Sequence, residues 1–349
     1  MSIYLCMPTG IASYIGMNPI MSEPIAFDQL NATLRAAGDG TRLRILCLLE
    51  EAELTVSELT EILRQSQPRI SRHLKLLMEA RLVERFPEGS WAFFRRNRQG
   101  PVADVAEGLI EALDPTDLTI ARDRERLAIV RSTRVKAAQD YFRRHAADWD
   151  RIRGLHTADD AIEAEIRALL DRPFRSLLDL GTGTGRILEM FSPQIERGLG
   201  VDLNREMLAF ARSRLDHAGI RNCSVRHGDI FDLAMARDSF DVVVIHQVLH
   251  FLDDGSRAIH EAARVLRPQG RLLVVDFASH ELEFLREEYA HRRLGLSPDT
   301  VTQWMEQAGL QGVVQRSVAP EPGSGRKIAV SLWLAHDPRL ALAGAREVA

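Results

Sequence analysis

Three carboxylates and a glycine-rich turn are the residues whose types and spacing could do chemistry. Residues 176–190 read SLLDLGTGTGRILEM, with Asp179 ahead of Gly181, Gly183 and Gly185 at alternate positions. Glycines so spaced let the backbone turn sharply and let a ligand approach the main chain, because no Cβ intervenes. Asp202 closes the run Gly-Leu-Gly-Val-Asp, and Asp229 closes Val-Arg-His-Gly-Asp. An acid about twenty residues past such a turn is placed to accept hydrogen bonds from ribose hydroxyls. His246, Gln247 and His250 follow a further apolar run. They are candidates to orient or deprotonate an acceptor, and equally candidates to line a pocket or cap a helix.

These residues need a scaffold, and the apolar pattern supplies one. Leu177, Leu178 and Leu180 read as a short central strand covered on both faces, and Ile187, Leu188 and Met190 open a helix. Whatever sits on the turn then lies over a helix N-terminus at the carboxyl end of a strand. Further strands are expected at 198–202, 224–229, 240–245 and 270–276, with helices at 205–215 and 257–266. Strands alternating with helices are βαβ units in a parallel sheet. Residues 312–318 and 327–335 read as a closing antiparallel hairpin.

A dinucleotide fingerprint would be G-x-G-x-x-G, whereas this turn is Gly181-x-Gly183-x-Gly185-Arg186. It resembles motif I of the class I S-adenosylmethionine (SAM) methyltransferases, across about residues 141–338. The resemblance implies that SAM or S-adenosylhomocysteine is held by Asp179, Gly181, Thr182, Gly183 and Gly185. It places Asp202 and Leu203 at the ribose, Met207 near the adenine, Asp229 on the adenine amino group and Ile230 on the ring. His246 then stands at the pocket mouth. Tyr141, on an aromatic-rich helix before the sheet, is expected to cover the pocket or to pack the domain junction. The resemblance is nearest to the ubiquinone/menaquinone and arsenite types. Only Cys223 falls in this domain, too few thiols to hold a metalloid. No Asn-Pro-Pro-Tyr or Asp-Pro-Pro-Tyr follows the fourth strand, so modification of DNA bases at this site is disfavoured.

Ahead of this domain lies a second constellation. Residues 67–78, QPRISRHLKLLM, have an apolar stripe at Ile70, Leu74, Leu77 and Met78. Ser66 is expected to cap this helix, with Pro68 in its first turn, where a missing N–H costs nothing. Gln67, Arg69, Ser71, Arg72, His73 and Lys75 occupy the outer face. A short helix capped by Thr55 or Ser57 precedes it, and strands at 83–86 and 91–95 flank a Pro-Glu-Gly-Ser turn. Helix, turn, basic helix and hairpin make a winged helix-turn-helix, with Arg95 and Arg96 on the wing suited to phosphates. The segment resembles the ArsR family of bacterial repressors, which implies a dimer reading double-stranded operator DNA. Metal-sensing members carry Cys-x-Cys where Thr55 and Ser57 stand, so no metal site is expected.

The bulk numbers are consistent with this division. The chain has 349 residues, a net charge of −4 and three scattered cysteines. Any DNA-binding surface must therefore be local, and neither a disulfide framework nor a metal-site spacing is present. The cysteine usage fits a cytoplasmic protein, and no apolar run approaches the ~20 residues of a membrane span. Residues 1–22 read as disordered, or as preceding a true start at Met17 or Met21. The expected plan is a winged helix DNA-binding and dimerisation domain at 23–115 and a helical linker and pocket cover at 116–170. A doubly wound α/β, Rossmann-like domain follows at 171–338, then a tail at 339–349. As a whole it resembles bacterial fusions of an ArsR repressor to a class I methyltransferase domain. Two functions compete: a regulator sensing SAM or S-adenosylhomocysteine, and a methyltransferase for a small-molecule acceptor with the winged helix as a regulatory module. A dimerisation scaffold with a dead pocket is the third.

Overall fold

The computed structural model describes residues 24–88, 91–149, 159–320 and 328–340. The reading of residues 1–22, the wing turn at 89–90 and most of the tail lie outside the described residues. Two compact units divide near Leu127, inside a single long helix. Among the described residues, no helix is long and apolar enough to cross a membrane.

The N-terminal unit packs helices α1 (Phe27–Ala37), α2 (Gly40–Glu51), α3 (Val56–Leu63), α4 (Gln67–Glu79) and α5 (Pro101–Glu111) with a small sheet. Ile45, Leu46, Leu59, Ile62, Ile70, Leu74 and Leu77 form its buried centre. α3 begins at a capping box: Thr55 accepts from the Glu58 N–H, and Glu58 accepts from the Thr55 N–H. That arrangement satisfies two orphan donors of the first turn. Ser66 occupies the cap position of α4, but its side chain makes no capping bond. The wing strands are β2 (Val83–Glu88) and β3 (Trp91–Arg96). A two-residue strand, β1 (Leu54–Thr55), pairs antiparallel with β3 and gives the order β1-β3-β2. It is too short for any apolar alternation to reveal.

The charged helix α6 (Leu118–His145) is unbroken for 28 residues, and α7 (Asp159–Leu169), within the second unit, leads into its sheet. There the strands are β4 (Ser176–Leu180), β5 (Arg197–Asp202), β6 (Cys223–His227), β7 (Phe240–His246), β8 (Leu266–Phe277), β9 (Gln311–Val318) and β10 (Val330–His336). Their order is β6-β5-β4-β7-β8-β10-β9. The first five are parallel, and β10 lies antiparallel between β8 and β9. Helices α8 (Arg186–Phe191), α9 (Arg205–His217), α10 (Gly255–Val265), α11 (Phe284–Tyr289) and α12 (Pro298–Gln307) complete the layers.

Strand β7 explains why the sheet needs helices on both sides. Val242 and Val244 pack into one apolar cluster with Leu177, Leu188 and Leu208. Val243 and Ile245 pack into the other with Leu178, Ile259 and Met305. Four successive buried apolar residues, Val242 to Ile245, suit a central parallel strand covered on both faces. Helices α11 and α12 were not evident as periodic segments in the sequence.

Candidate functional site

The turn after β4 is built from three left-handed glycines, at φ +71° for Gly181, +52° for Gly183 and +82° for Gly185. A Cβ on Gly181 would lie 2.3 Å from Val248 Cγ2, so the glycine is required by space as well as by φ. Gly181 and Thr182 donate their N–H groups to the Val201 carbonyl, and Thr182 Oγ1 donates to Asp179 Oδ2 at 2.6 Å. The Thr182 side chain fills the place a Cβ on Gly200 would need. Gly185 stands at the start of α8 against Ala211 and does not line the pocket. Its role is to turn the chain into the helix.

Asp202 is fixed from two sides. Its Oδ2 accepts from the Gly183 N–H at 2.9 Å and its Oδ1 from the Asn204 N–H at 2.8 Å. Burial pushes its carboxyl above the ordinary value of 3.8, and the N–H groups of Asn204, Gly183 and Leu203 pull against that. Asn204 also caps α9 through Met207 and donates to the Gln139 carbonyl of α6.

The cleft over this turn opens to solvent and holds about 1260 Å³ free of protein atoms. Asp179, Gly181, Thr182, Gly183, Asp202, Leu203, Met207, Asp229, Ile230, His246 and Gln247 all line it. Asp229 lies at the exposed rim, with Oδ1 accepting from the Phe231 N–H. Arg186 also lines the cleft, but Glu163 and Glu189 pair with its guanidinium.

Gln247 has a non-glycine φ of +55° and a buried side chain. Its Nε2 has no hydrogen-bond partner among the described residues. A buried amide on a strained backbone at a pocket wall is an unspent donor.

Like Gly185, two further expected site residues stand off the cleft wall. Tyr141 does not line the cleft: it is buried against Tyr289 and His145, and burial pushes its phenol up to about 12. Its neighbours on α6, Ala138, Gln139 and Phe142, line the cleft instead, with Trp149 and Phe251. Ala138, Gln139 and Phe142 together define the face of α6 that meets the cleft, and at about 100° per residue Tyr141 lies roughly a quarter-turn away from its centre. His250 is also absent from the wall and is 1% exposed. Its Nδ1 donates to Asp276 Oδ1 at 2.7 Å, and its ring packs on Phe277 and His291. It supports the loop after β7 from behind and has no path to an acceptor.

In the N-terminal unit, Ser66, Gln67, Arg69, Ser71, Arg72 and Lys75 form an exposed polar row on α4. His73 turns inward to within 3.7 Å of Asp39, which caps α2. Burial lowers its pKa against the pull of that carboxylate, and its Nδ1 makes no hydrogen bond among the described residues, so the ring packs inward and is not part of the exposed row. Arg95 lies over the Phe86 ring and pairs with Glu84, leaving its guanidinium partly exposed. Arg96 is not a phosphate contact. It is 4% exposed, pairs with Glu50 and donates to the Ala103 carbonyl. Arg85, on the neighbouring wing strand, is exposed.

Comparison with known proteins agrees with both halves. Residues 39–85 match the model for bacterial regulatory proteins of the arsR family, and residues 178–274 match a methyltransferase domain. The chain is 35% identical over 115 residues to the methyltransferase YcgJ of Bacillus subtilis, covering 33% of this chain and 46% of that one. It is 36% identical over 122 residues to a ubiquinone/menaquinone biosynthesis C-methyltransferase of Vibrio parahaemolyticus, covering 34% and 47%. To an arsenite methyltransferase of Aquipseudomonas alcaligenes it is 38% identical over 128 residues, covering 34% of each. The chain spans less than half the length of each of these curated relatives.

Proposed function

We propose that this ArsR-type winged helix joined to a methyltransferase domain is a transcriptional regulator that binds double-stranded operator DNA as a homodimer and takes SAM or S-adenosylhomocysteine in its C-terminal cleft. The observation that carries the reading is the Asp202 carboxylate, fixed at a strand end beside a turn bare of side chains. Each of its oxygens keeps a lone pair for a ribose hydroxyl. Leu203, Met207 and Ile230 supply apolar walls for an adenine, and Asp229 stands at the rim to accept from its amino group. The Gln247 amide suits an acceptor oxygen on the ligand or substrate. When bound, the sulfonium would supply an electrophilic methyl group. The protein's part is to hold, align and screen it from water.

The exposed row on α4 supports major-groove reading, with Arg85 and Arg95 nearest to phosphates on the wing. Phe27 and Leu34 of α1 and Leu118 of α6 expose large apolar side chains, which favours pairing with a second copy. Cytoplasmic location accords with that role. Ligand occupancy alters DNA affinity only if the two DNA-binding states hold the ligand unequally.

A second reading, methyl transfer to a small molecule, is favoured by Phe142, Trp149 and Phe251, which wall the cleft beside Gln247. Arsenite is a poor acceptor. Cys223 is the sole cysteine of this domain, and burial pushes its thiol up to about 11. Operator binding followed by fluorescence anisotropy, with and without each nucleoside, tests the regulator. The expected result is a ligand-dependent change in affinity that Asp202→Ala abolishes. Identical curves under all conditions would rule out sensing. Formation of S-adenosylhomocysteine from SAM and metabolite extract, dependent on the protein, would establish turnover.

A further inference from the structure

A second cavity lies at the opposite end of the seven-stranded sheet. It is lined by Arg172, Arg175, Arg271 and Arg316, with Asp171, Asp241 and His336. Arg172 and Arg175 precede β4, and Arg271 pairs in register with Val242 near the start of β7. His336 ends the antiparallel β10, opposite Arg271. Arg172, Arg175, Arg271 and His336 therefore stand at the amino ends of the parallel strands, whereas Asp179, Asp202 and His246 stand at the carboxyl ends; Arg316 reaches the cavity from the edge strand β9.

Charge in this cavity is not balanced. Arg316 pairs with Glu165 and Arg175 with Glu196. Arg172 and Arg271 have no ion-pair partner among the described residues. Asp241 faces the cavity, but its oxygens are already committed. Oδ2 accepts from the N–H groups of Arg175 and Ser176 and from Ser176 Oγ, and Oδ1 accepts from Arg267. Asp171 is exposed to solvent.

Arg271 is half-buried. Its guanidinium lies over the Phe174 ring, and Nη2 donates to the Arg172 carbonyl at 2.8 Å. Burial, and then the positive charge of Arg172, lower its pKa, and the carboxylates of Asp171 and Asp241 only partly offset them. A partly desolvated cation beside a like charge costs free energy unless an anion completes the set.

We propose that this cavity binds a phosphate group, free or carried on a small molecule, with Arg271 as the deep donor and Arg172 closing over it from solvent. The planar fork of a guanidinium matches two oxygens of a tetrahedral phosphate, and two forks at right reach neutralise its charge. This site is independent of the cleft at the carboxyl ends and does not rest on the nature of the ligand there.

Calorimetric titration of the full-length protein with inorganic phosphate, and separately with sn-glycerol 3-phosphate, tests it. Binding is expected for at least one, and loss of a charge-assisted bidentate contact in Arg271→Ala or Arg172→Ala should weaken it by about tenfold or more. Arg172 is exposed, so its substitution leaves the fold intact and keeps the test valid if Arg271→Ala unfolds. Binding of the monoester alone would identify a phosphorylated small molecule, and equal binding of both would identify phosphate itself. Absence of heat with either probe at millimolar concentration, or unchanged affinity in Arg172→Ala, would overturn the assignment.

Discussion

Asp202 does two jobs with one carboxylate. It ties the glycine turn to the end of β5 through Gly183, and it presents its remaining lone pairs to the cleft. Asp202→Ala should weaken S-adenosylhomocysteine binding by about 1–3 kcal/mol, the cost of unpaired ligand hydroxyls, as read by calorimetry. The pH dependence follows in sign. Its pKa is raised above 3.8, chiefly by burial, and ribose hydroxyls bond more strongly to the ionised form. Protons therefore compete with the ligand, and affinity should fall on acidification at a pH above the range of an exposed aspartate. Affinity constant down to pH 4 would contradict this role. Gly181→Ala adds a Cβ against Val248 and forces a left-handed alanine, so unfolding by urea should show a loss of about 1–3 kcal/mol.

At the scale of elements, what the sequence disclosed depended on how locally each feature is determined. The glycine turn and the acids at the ends of β4 and β5 were legible because backbone geometry fixes their spacing within one βαβ unit. The recognition helix was legible because Ile70, Leu74 and Leu77 repeat at helical period. The phase of α6 was not. A charged 28-residue helix has no single apolar stripe, and which of Tyr141 or Phe142 meets the cleft depends on distant packing partners such as Tyr289 and Phe251. Arg96 was misread for the same reason, since its partner Glu50 lies 46 residues away. The two wing and groove arginines should therefore respond differently. Arg72→Ala should weaken operator binding and reduce its salt dependence without changing stability. Arg96→Ala should cost about 3 kcal/mol of stability, the low end for a broken buried pair, because its partner Glu50 is partly exposed. Chemical denaturation and DNA titration on both variants separate the two effects, and the reverse pattern would refute the assignment.

For the whole molecule, two chemistries are proposed on one chain: a polar helix face for DNA and a carboxylate-edged cleft for a nucleoside. Acid stability reports on the second unit. Burial, helped by the charges of His250 and Arg286, lowers the His280 pKa to about 4, and its Nδ1 accepts from the Leu282 N–H, which requires the neutral ring. Between the ordinary value of 6.5 and about 4 the unfolded chain binds the extra proton. Stability should therefore fall as pH drops through that window, and His280→Gln should flatten the thermal unfolding profile there. The account as a whole depends on the cleft. Calorimetric titration of the full-length protein with S-adenosylhomocysteine, beside Asp202→Ala, tests it most directly. Saturable binding by the natural chain that the substitution strongly weakens is the expected result; no heat in either protein, or equal binding by both, would contradict it.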